Sequence, residues 1–202
     1  MAALNEDTDE GLMAHIQKGD HQAFAVLARR HTDRFYGLAW RLLGNDAEAD
    51  DVVQDAFLKL WSQPALFRTD AGVKFTTWFY RVVSNMALDK LRGRKRWAGP
   101  EILEGMTDKG KPSDQAYEEK EMQRLMAQSI AALPERQKLA LTLCFYEGLS
   151  VADAAQVIGV GEKAVESLLM RAKSGLRDDL TRKGIIQHPV KDKREARHER
   201  IA

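Results

Sequence analysis

The stretch 150-SVADAAQVIGVGEKAVESLLM-170 decides the fold of this chain. Ser150 is placed to cap a helix, and Asp153 can reach back toward that cap from the first turn. Gly159 stands where a tight turn needs a positive φ angle. Small Ala155 stands where a second helix would cross the first closely. This spacing predicts a helix-turn-helix whose shared apolar core is formed by Ala154, Ile158, Val160, Val165 and Leu168.

The second helix of this motif is expected to enter the major groove of DNA. At about 100° per residue, one of its sides packs inward through Val165, Leu168, Leu169, Ala172 and Leu176. The outward side carries the predicted DNA-binding residues Lys163, Glu166, Ser167, Met170, Arg171 and Lys173. Cationic side chains suit phosphates or guanine, serine bonds to several bases, and a carboxylate accepts only from a donor such as the cytosine amino group. An ordinary solvated face of a helical hairpin is the alternative interpretation.

Helical spacing also dominates the rest of the 202 residues, which are enough for one or two domains. The 31 basic and 30 acidic side chains leave a net charge of +1, so net charge indicates nothing about nucleic acid. We predict an all-α protein with two small helical domains joined by a flexible linker. Residues 10–96 form the first domain, 97–117 a linker rich in Gly, Pro and polar residues, 118–183 the second domain and 184–202 a charged tail.

The helix bounds follow from caps and breakers. The first domain is expected to contain helices over 10–18, 21–43, 46–61 and 74–94. Gly44 is expected to end the second of these in a left-handed conformation, and Asp46 is placed to cap the third. In the second domain, Pro134 separates a helix that ends at Leu133 from one over 135–146.

The helix over 46–61 is acidic along one face. Asp51, Gln54 and Asp55 share that face by their spacing, whereas the opposite face is apolar. The helix dipole explains acids in the first turn, but Asp55 lies beyond it. We interpret these three residues as a docking surface for a basic partner.

The helix over 74–94 combines an apolar stripe with a basic end. The stripe is Phe75, Phe79, Val82, Val83 and Met86, and the cations Lys90, Arg92, Arg94, Lys95 and Arg96 follow. Five clustered cations are typical of a phosphate-binding surface, although a solvated helix end is the alternative. Trp78 could stack on an unpaired base or serve as a half-buried core residue.

Several other classes of protein are disfavoured. The single cysteine, Cys144, excludes a disulfide within the chain and suits a reducing cytoplasm. No apolar run is long enough for a signal peptide or a membrane span, so no membrane insertion is expected. The histidines are scattered and no phosphate loop is present, so we expect no enzyme activity, metal site or cofactor.

The sequence resembles the extracytoplasmic-function (ECF, group IV) sigma factors of the sigma-70 family of bacterial RNA polymerase. The resemblance to their region 2 lies in 51-DVVQDAFLKLW-61, 75-FTTWFYRVVSN-85 and 89-DKLR-92. The resemblance to their region 4 lies in 133-LPERQ-137, 147-EGLS-150 and the helix-turn-helix.

The resemblance implies a role for each surface. The acidic face, Asp51, Gln54 and Asp55, would bind the β′ clamp helices of core RNA polymerase. The loop over 67–77 and the helix after it would recognise and melt the minus-ten element, and the second domain would bind the minus-thirty-five element and the β flap. An anti-sigma factor would hold the protein inactive, as in stress-response regulons. The implied minus-ten residues are Lys74, Thr77, Trp78, Arg81, Asn85, Arg92, Arg94, Lys95 and Arg96.

Two alternatives share parts of this pattern. A sigma-like decoy would capture an anti-sigma factor without binding DNA, but the basic helix end would then be superfluous. A stand-alone helix-turn-helix regulator would leave the acidic face unexplained. The loop from Ala65 to Lys74 is slightly longer than the commonest form in the family, and Glu166 stands where many members carry a basic or neutral residue.

Overall fold

A computed structural model describes residues 2–68, 72–97 and 125–186, with side chains over 4–68, 72–94 and 125–186. Most of the predicted linker, the tail from residue 187, residues 69–71 of the predicted minus-ten loop and the side chains of Lys95 and Arg96 lie outside the described residues. The parts of the chain that are described contain helices and connections but no strand, which confirms the predicted all-α class.

The N-terminal half consists of α1 (Ala2–Glu6), α2 (Asp9–Ile16), α3 (His21–Leu43), α4 (Asp46–Ser62), a short 3₁₀ turn (Pro64–Leu66) and α5 (Phe75–Trp97). Gly44 ends α3 with φ = 65°, and its N–H bonds to the Trp40 carbonyl at 2.7 Å, as predicted. The prediction that Asp46 caps α4 was wrong. Asn45 is the cap, since its side chain accepts from the Glu48 N–H at 3.0 Å. Asp46 instead accepts a hydrogen bond from the Tyr36 hydroxyl at 2.7 Å.

The described part of the C-terminal half starts within a helix, α6, described over 125–131, and α7 (Glu135–Leu141) follows. Residues Thr142–Tyr146 continue α7 as a wider π turn, in which the Glu147 N–H bonds to the Thr142 carbonyl five residues back. Next come α8 (Val151–Ile158) and α9 (Glu162–Arg182), which form the predicted helix-turn-helix. Ser150 caps α8 by accepting from the Asp153 N–H at 3.0 Å, and Gly159 makes the turn at φ = 75°.

The two halves share one hydrophobic core. Buried side chains of α2, α3, α4 and α5 belong to the same cluster as Leu139, Leu143, Ala154, Val157 and Val165 of the C-terminal half. A smaller cluster consists of Leu133 in the turn after α6, Leu141 of α7 and Ala172 of α9. The C-terminal half therefore packs on the N-terminal half, chiefly by α8 against α5. None of the helices in the described ranges is both long and apolar enough to cross a lipid bilayer.

Candidate nucleic-acid and partner interfaces

The acidic face of α4 lies at the surface. Asp51, Gln54 and Asp55 are all exposed, while the opposite side of the helix is buried through Val52, Val53, Ala56, Phe57 and Leu60. The apolar side anchors α4 against α3 and α5. The structure therefore brings the three predicted residues together on one accessible strip.

An open apolar groove of about 350 Å³ borders this strip. It lies between α3 and α4, and Gln54 of the acidic face is part of its wall. Leu58 lines the groove with 63% of its surface exposed, so it adds to one continuous apolar patch rather than standing alone. This groove could not be predicted from the pattern of α4 alone, because α3 forms its other wall, although Leu58 follows Gln54 by one helical turn. The other lining residues are Phe24, Ala28, Thr32, Val53, Phe57 and Trp61.

The basic end of α5 forms ion pairs with acidic side chains while staying accessible to solvent. Lys90 Nζ lies 2.8 Å from Asp51 Oδ2, and Arg94 Nε donates to Glu48 Oε1 at 2.9 Å. Arg92 pairs with Asp89 on its own helix at 3.1 Å. The described cations are thus paired with carboxylates in this arrangement, while Arg92 and Arg94 remain exposed. Their proposed role in binding phosphate stays a prediction. The sequence pattern missed the ion pairs because α4 and α5 pack side by side only in the tertiary structure.

Trp78 lies in an aromatic group at the start of α5. It is half-buried, with ring centroids 5.4 Å from Phe67, 6.1 Å from Phe75 and 5.9 Å from Phe79. Packing on one side leaves part of the indole accessible, so the core role and the stacking role are compatible.

The other predicted minus-ten residues of this helix differ in accessibility. Lys74, Arg81 and Asn85 are exposed. Thr77 is only 8% exposed, and its burial disfavours a direct contact with DNA in this arrangement. Arg81 lies near the turn of the helix-turn-helix, with Nη2 3.9 Å from the position that a Cβ on Gly159 would occupy.

The outward side of α9 is accessible, as its periodicity predicts. Lys163, Glu166, Met170 and Arg171 are exposed, and Ser167 is partly exposed. Lys173 is exposed as well, with Nζ 4.7 Å from the ring centroid of Phe145. Of the residues predicted to face inward, Val165 and Ala172 are fully buried, whereas Leu168, Leu169 and Leu176 are partly buried. The helix therefore rests on a narrow apolar base and leaves a wide polar surface free.

Glu147 joins the two halves, a role that the sequence analysis did not find. Its side chain is 5% exposed, and it accepts hydrogen bonds from the Tyr80 hydroxyl at 2.7 Å and from Arg41 Nη1 at 3.1 Å. Arg34 Nη2 donates to the Glu147 carbonyl at 3.2 Å, and its guanidinium lies over the Tyr80 ring at 5.1 Å. Burial and the hydrogen bond to Glu147 raise the pKa of Tyr80 above its ordinary value. A buried carboxylate with several donors is strongly held, because removing one partner leaves an uncompensated charge.

Cys144 has the properties of a packed residue rather than a nucleophile. It is partly buried, and burial raises the pKa of its thiol. Because the thiolate is the reactive form, this shift lowers reactivity.

Both halves of the chain are similar in sequence to known proteins. The chain matches the family model "Sigma-70 region 2" over residues 27–97 and "Sigma-70, region 4" over residues 123–176. It is 30% identical over 176 residues to the ECF RNA polymerase sigma factor SigW of Bacillus subtilis, which covers 82% of this chain and 92% of SigW. It is 33% identical over 184 residues to the RNA polymerase sigma-H factor of Pseudomonas aeruginosa, covering 86% of this chain and 94% of that protein.

A solved structure gives the same result. The fold is similar to that of CnrH in its complex with the cytosolic domain of CnrY, with a TM-score of 0.66 and 27% sequence identity. That similarity covers 87% of this chain and 98% of the CnrH chain.

Proposed function

The chain belongs to the extracytoplasmic-function sigma factors, and we propose that it binds core RNA polymerase, directs it to promoters and is held inactive by an anti-sigma factor. The observation that carries this proposal is the pairing of two exposed surfaces in one chain. An acidic strip lies on α4, and a polar reading surface lies on α9 of a helix-turn-helix. Sigma factors are initiation factors without enzyme activity, so the bond-forming chemistry belongs to the polymerase.

We assign polymerase binding to the acidic face, Asp51, Gln54 and Asp55. Carboxylates on a helix attract a basic partner surface, and the adjoining apolar groove with exposed Leu58 adds area that a partner would desolvate. The ion pair between Asp51 and Lys90 is exposed and therefore contributes little to stability, so a partner cation can replace Lys90 at low cost. The clamp helices of the β′ subunit are the proposed partner.

We assign minus-ten recognition to the loop over 67–77 and to the first turns of α5. The accessible part of Trp78 is available for stacking on an unpaired base. Exposed Lys74 lies four residues before it and exposed Arg81 and Asn85 lie three and seven residues after it, the spacing of one helix side. Lys90 and Arg94 at the basic end of α5 contribute to DNA binding only when they leave Asp51 and Glu48 and pair with DNA phosphates instead. That exchange is favoured if polymerase occupies Asp51.

We assign minus-thirty-five recognition to α9. A major groove accepts a helix of this kind, and the exposed residues 163–173 include cations for phosphate or guanine, a serine and one carboxylate. The same half would contact the β flap. Residues 10–96 and 118–183 are the proposed functional domains, with 97–117 as their linker, and a linker makes the second contact intramolecular and so raises avidity. The protein would act in the cytoplasm, where the polymerase is.

Reconstituted transcription tests the function as a whole. The purified chain is combined with bacterial core RNA polymerase on a pool of genomic promoter fragments, and start sites are mapped. Start sites that depend on the chain are the expected result, and they also define the promoter motif. Polymerase binding without any start would contradict promoter selection and favour a decoy, whereas a failure to bind polymerase would favour a stand-alone regulator.

Charge reversal tests the acidic face. Asp55→Lys is expected to weaken binding to core polymerase on the order of tenfold, because it places a cation against a basic surface. Asp178→Lys is the matched control, since Asp178 is an exposed acid on α9. Affinity is measured by competition with labelled wild-type protein, and unfolding is followed by circular dichroism. An equal loss in both variants, or a collapse of the Asp55→Lys melt, would contradict the assignment.

A further inference from the structure

The first described helices carry contacts that the proposed surfaces do not use. The match to region 2 begins at residue 27, so α2 lies ahead of it. Nevertheless, polar side chains at both ends of α2 reach the connection between α4 and α5. That connection includes the loop proposed to recognise the minus-ten element.

Gln17 holds the beginning of this connection. Its Nε2 donates to the Pro64 carbonyl at 3.2 Å and to the Phe67 carbonyl at 2.8 Å. Phe67 is 1% exposed, and its ring lies 5.4 Å from that of Trp78. The side-chain amide of Gln17 therefore holds the backbone of Phe67, whose ring packs against Trp78.

Glu10 holds the end of the connection. Its Oε1 accepts a hydrogen bond from the Phe75 N–H, the first of α5, at 2.9 Å. The first N–H groups of a helix are usually capped by the side chain of the residue just before the helix. In α5 the Phe75 N–H is instead capped by Glu10, which lies 65 residues earlier in the chain. The negative charge also suits the positive end of the α5 dipole. Glu10 thus sets where α5 begins, and with it the position of Trp78 in the first turn.

The helix that contains Glu10 and ends directly before Gln17 is itself firmly placed. Leu12, Met13 and Ile16 are at most 2% exposed. Asp9 accepts from Arg30 Nη1 at 2.6 Å and lies 2.8 Å from His31 Nε2, which ties the start of α2 to α3. Burial favours a raised pKa for Asp9, but the hydrogen bonds from His31 and Arg30 lower it below the ordinary value. Ionised Asp9 is therefore part of the folded structure near neutral pH.

Glu10 and Gln17 are seven residues apart, which is about two helical turns and places them on one side of α2. We propose that they are positioning residues that hold the two ends of the α4–α5 connection at a set separation and so determine base selection in the minus-ten element. This inference rests on the proposed function of the connection. A rigid support matters there, because a reading group that is displaced by about 1 Å loses much of its discrimination.

The test removes each contact with little change in shape. Gln17→Met keeps the length of the side chain but removes its donor, and Gln22→Met is the matched control on an exposed residue of α3. Glu10→Ala removes the acceptor, whereas Glu10→Gln retains an acceptor oxygen. Holoenzyme made from each full-length variant transcribes a library in which the minus-ten and minus-thirty-five segments of a wild-type start site are randomised separately. Thermal unfolding is measured in parallel.

The expected result is a change confined to one promoter element. Gln17→Met and Glu10→Ala should reduce the preference for the best minus-ten base by about 2- to 10-fold, the equivalent of one hydrogen bond. Their minus-thirty-five preferences should equal those of the wild type. Glu10→Gln and Gln22→Met should retain both preferences.

Other outcomes overturn the inference in distinguishable ways. Unchanged minus-ten preference in Gln17→Met and Glu10→Ala, with normal wild-type starts, would refute the positioning role alone. A uniform loss of transcription on all minus-ten sequences would show a merely structural role. An absence of starts with the wild type would remove the proposed function and this inference with it.

Discussion

The two helices predicted to contact DNA, α5 and α9, are built in different ways. Over its described side chains, α5 is buried on much of its circumference, with Phe75, Phe79 and Val83 at 0% exposure and Tyr80 at 1%. By contrast, α9 buries only Val165, Ala172 and Leu180 along its 21 residues. The difference arises because α3 and α4 cover one side of α5 while α8 covers another.

The two helices differ in whether the residues predicted to contact DNA also take part in the core. On α9, the candidate reading residues lie on a surface that the fold does not need. On α5, the candidate residues alternate with core residues, so that Thr77 is buried and Trp78 half-buried. A substitution in α5 can reduce promoter binding by destabilising the fold, so the stability of each variant must be measured as well. A substitution at the exposed side of α9 that reduces promoter binding indicates a role in recognition.

The largest expected effect on the free energy of unfolding comes from removing one buried aromatic ring of α5. Phe79→Ala should lower the free energy of unfolding by about 3–5 kcal/mol, because the ring packs against Phe35 at 4.7 Å and Phe57 at 4.9 Å and leaves a cavity when removed. Met170→Ala on α9, where the side chain is 66% exposed, should change it by no more than about 0.5 kcal/mol. Urea unfolding measures both. Similar losses in the two variants would contradict the contrast between the helices.

A smaller effect is expected from Tyr80→Phe, which keeps the ring but removes the hydroxyl that donates to buried Glu147. The free energy of unfolding should fall by about 1–3 kcal/mol, the cost of leaving a buried acceptor short of a donor. Tyr146→Phe is the matched control, since Tyr146 is 48% exposed. Equal stability of the two variants would show that the Glu147 cluster does not hold the halves together.

Tyr80→Phe should also change how the stability of the protein depends on pH. Because the pKa of Tyr80 is raised in the folded state, its contribution to stability is complete below its ordinary pKa of about 10 and is lost as pH rises beyond that value. The wild type should therefore lose more stability than Tyr80→Phe between about pH 9 and 11. Parallel curves for the two proteins would contradict the shifted pKa.

The smallest effect on stability is expected from Arg171→Ala, which should leave the free energy of unfolding within about 0.5 kcal/mol of the wild type. Binding to the minus-thirty-five element found by start-site mapping should nevertheless weaken by about 1–3 kcal/mol. Arg177→Ala is the control, an exposed arginine on α9 outside the predicted set. An equal loss on random DNA would mean that Arg171 contacts only phosphate.

Much of the candidate site could be predicted from sequence because it depends on local periodicity. The exposed strip of Asp51, Gln54 and Asp55 and the outward side of α9 follow from the 3.6-residue repeat alone. The ion pairs at the basic end of α5 could not be predicted, since its cations meet Glu48 and Asp51 from another helix. Periodicity within one helix carries no information about which charges a neighbouring helix presents.

Caps, glycines and apolar spacing thus determined where most helices begin and end, because each acts through hydrogen bonds and packing within a few residues. Gly44 and Gly159 are examples, both at positive φ. Only the tertiary structure decided that Glu147 meets Arg41 and Tyr80, and that Gln17 and Glu10 hold the connection before α5. These partners lie 47 to 106 residues apart in the chain. Their pairing follows from how the helices pack, which no local stretch of sequence specifies.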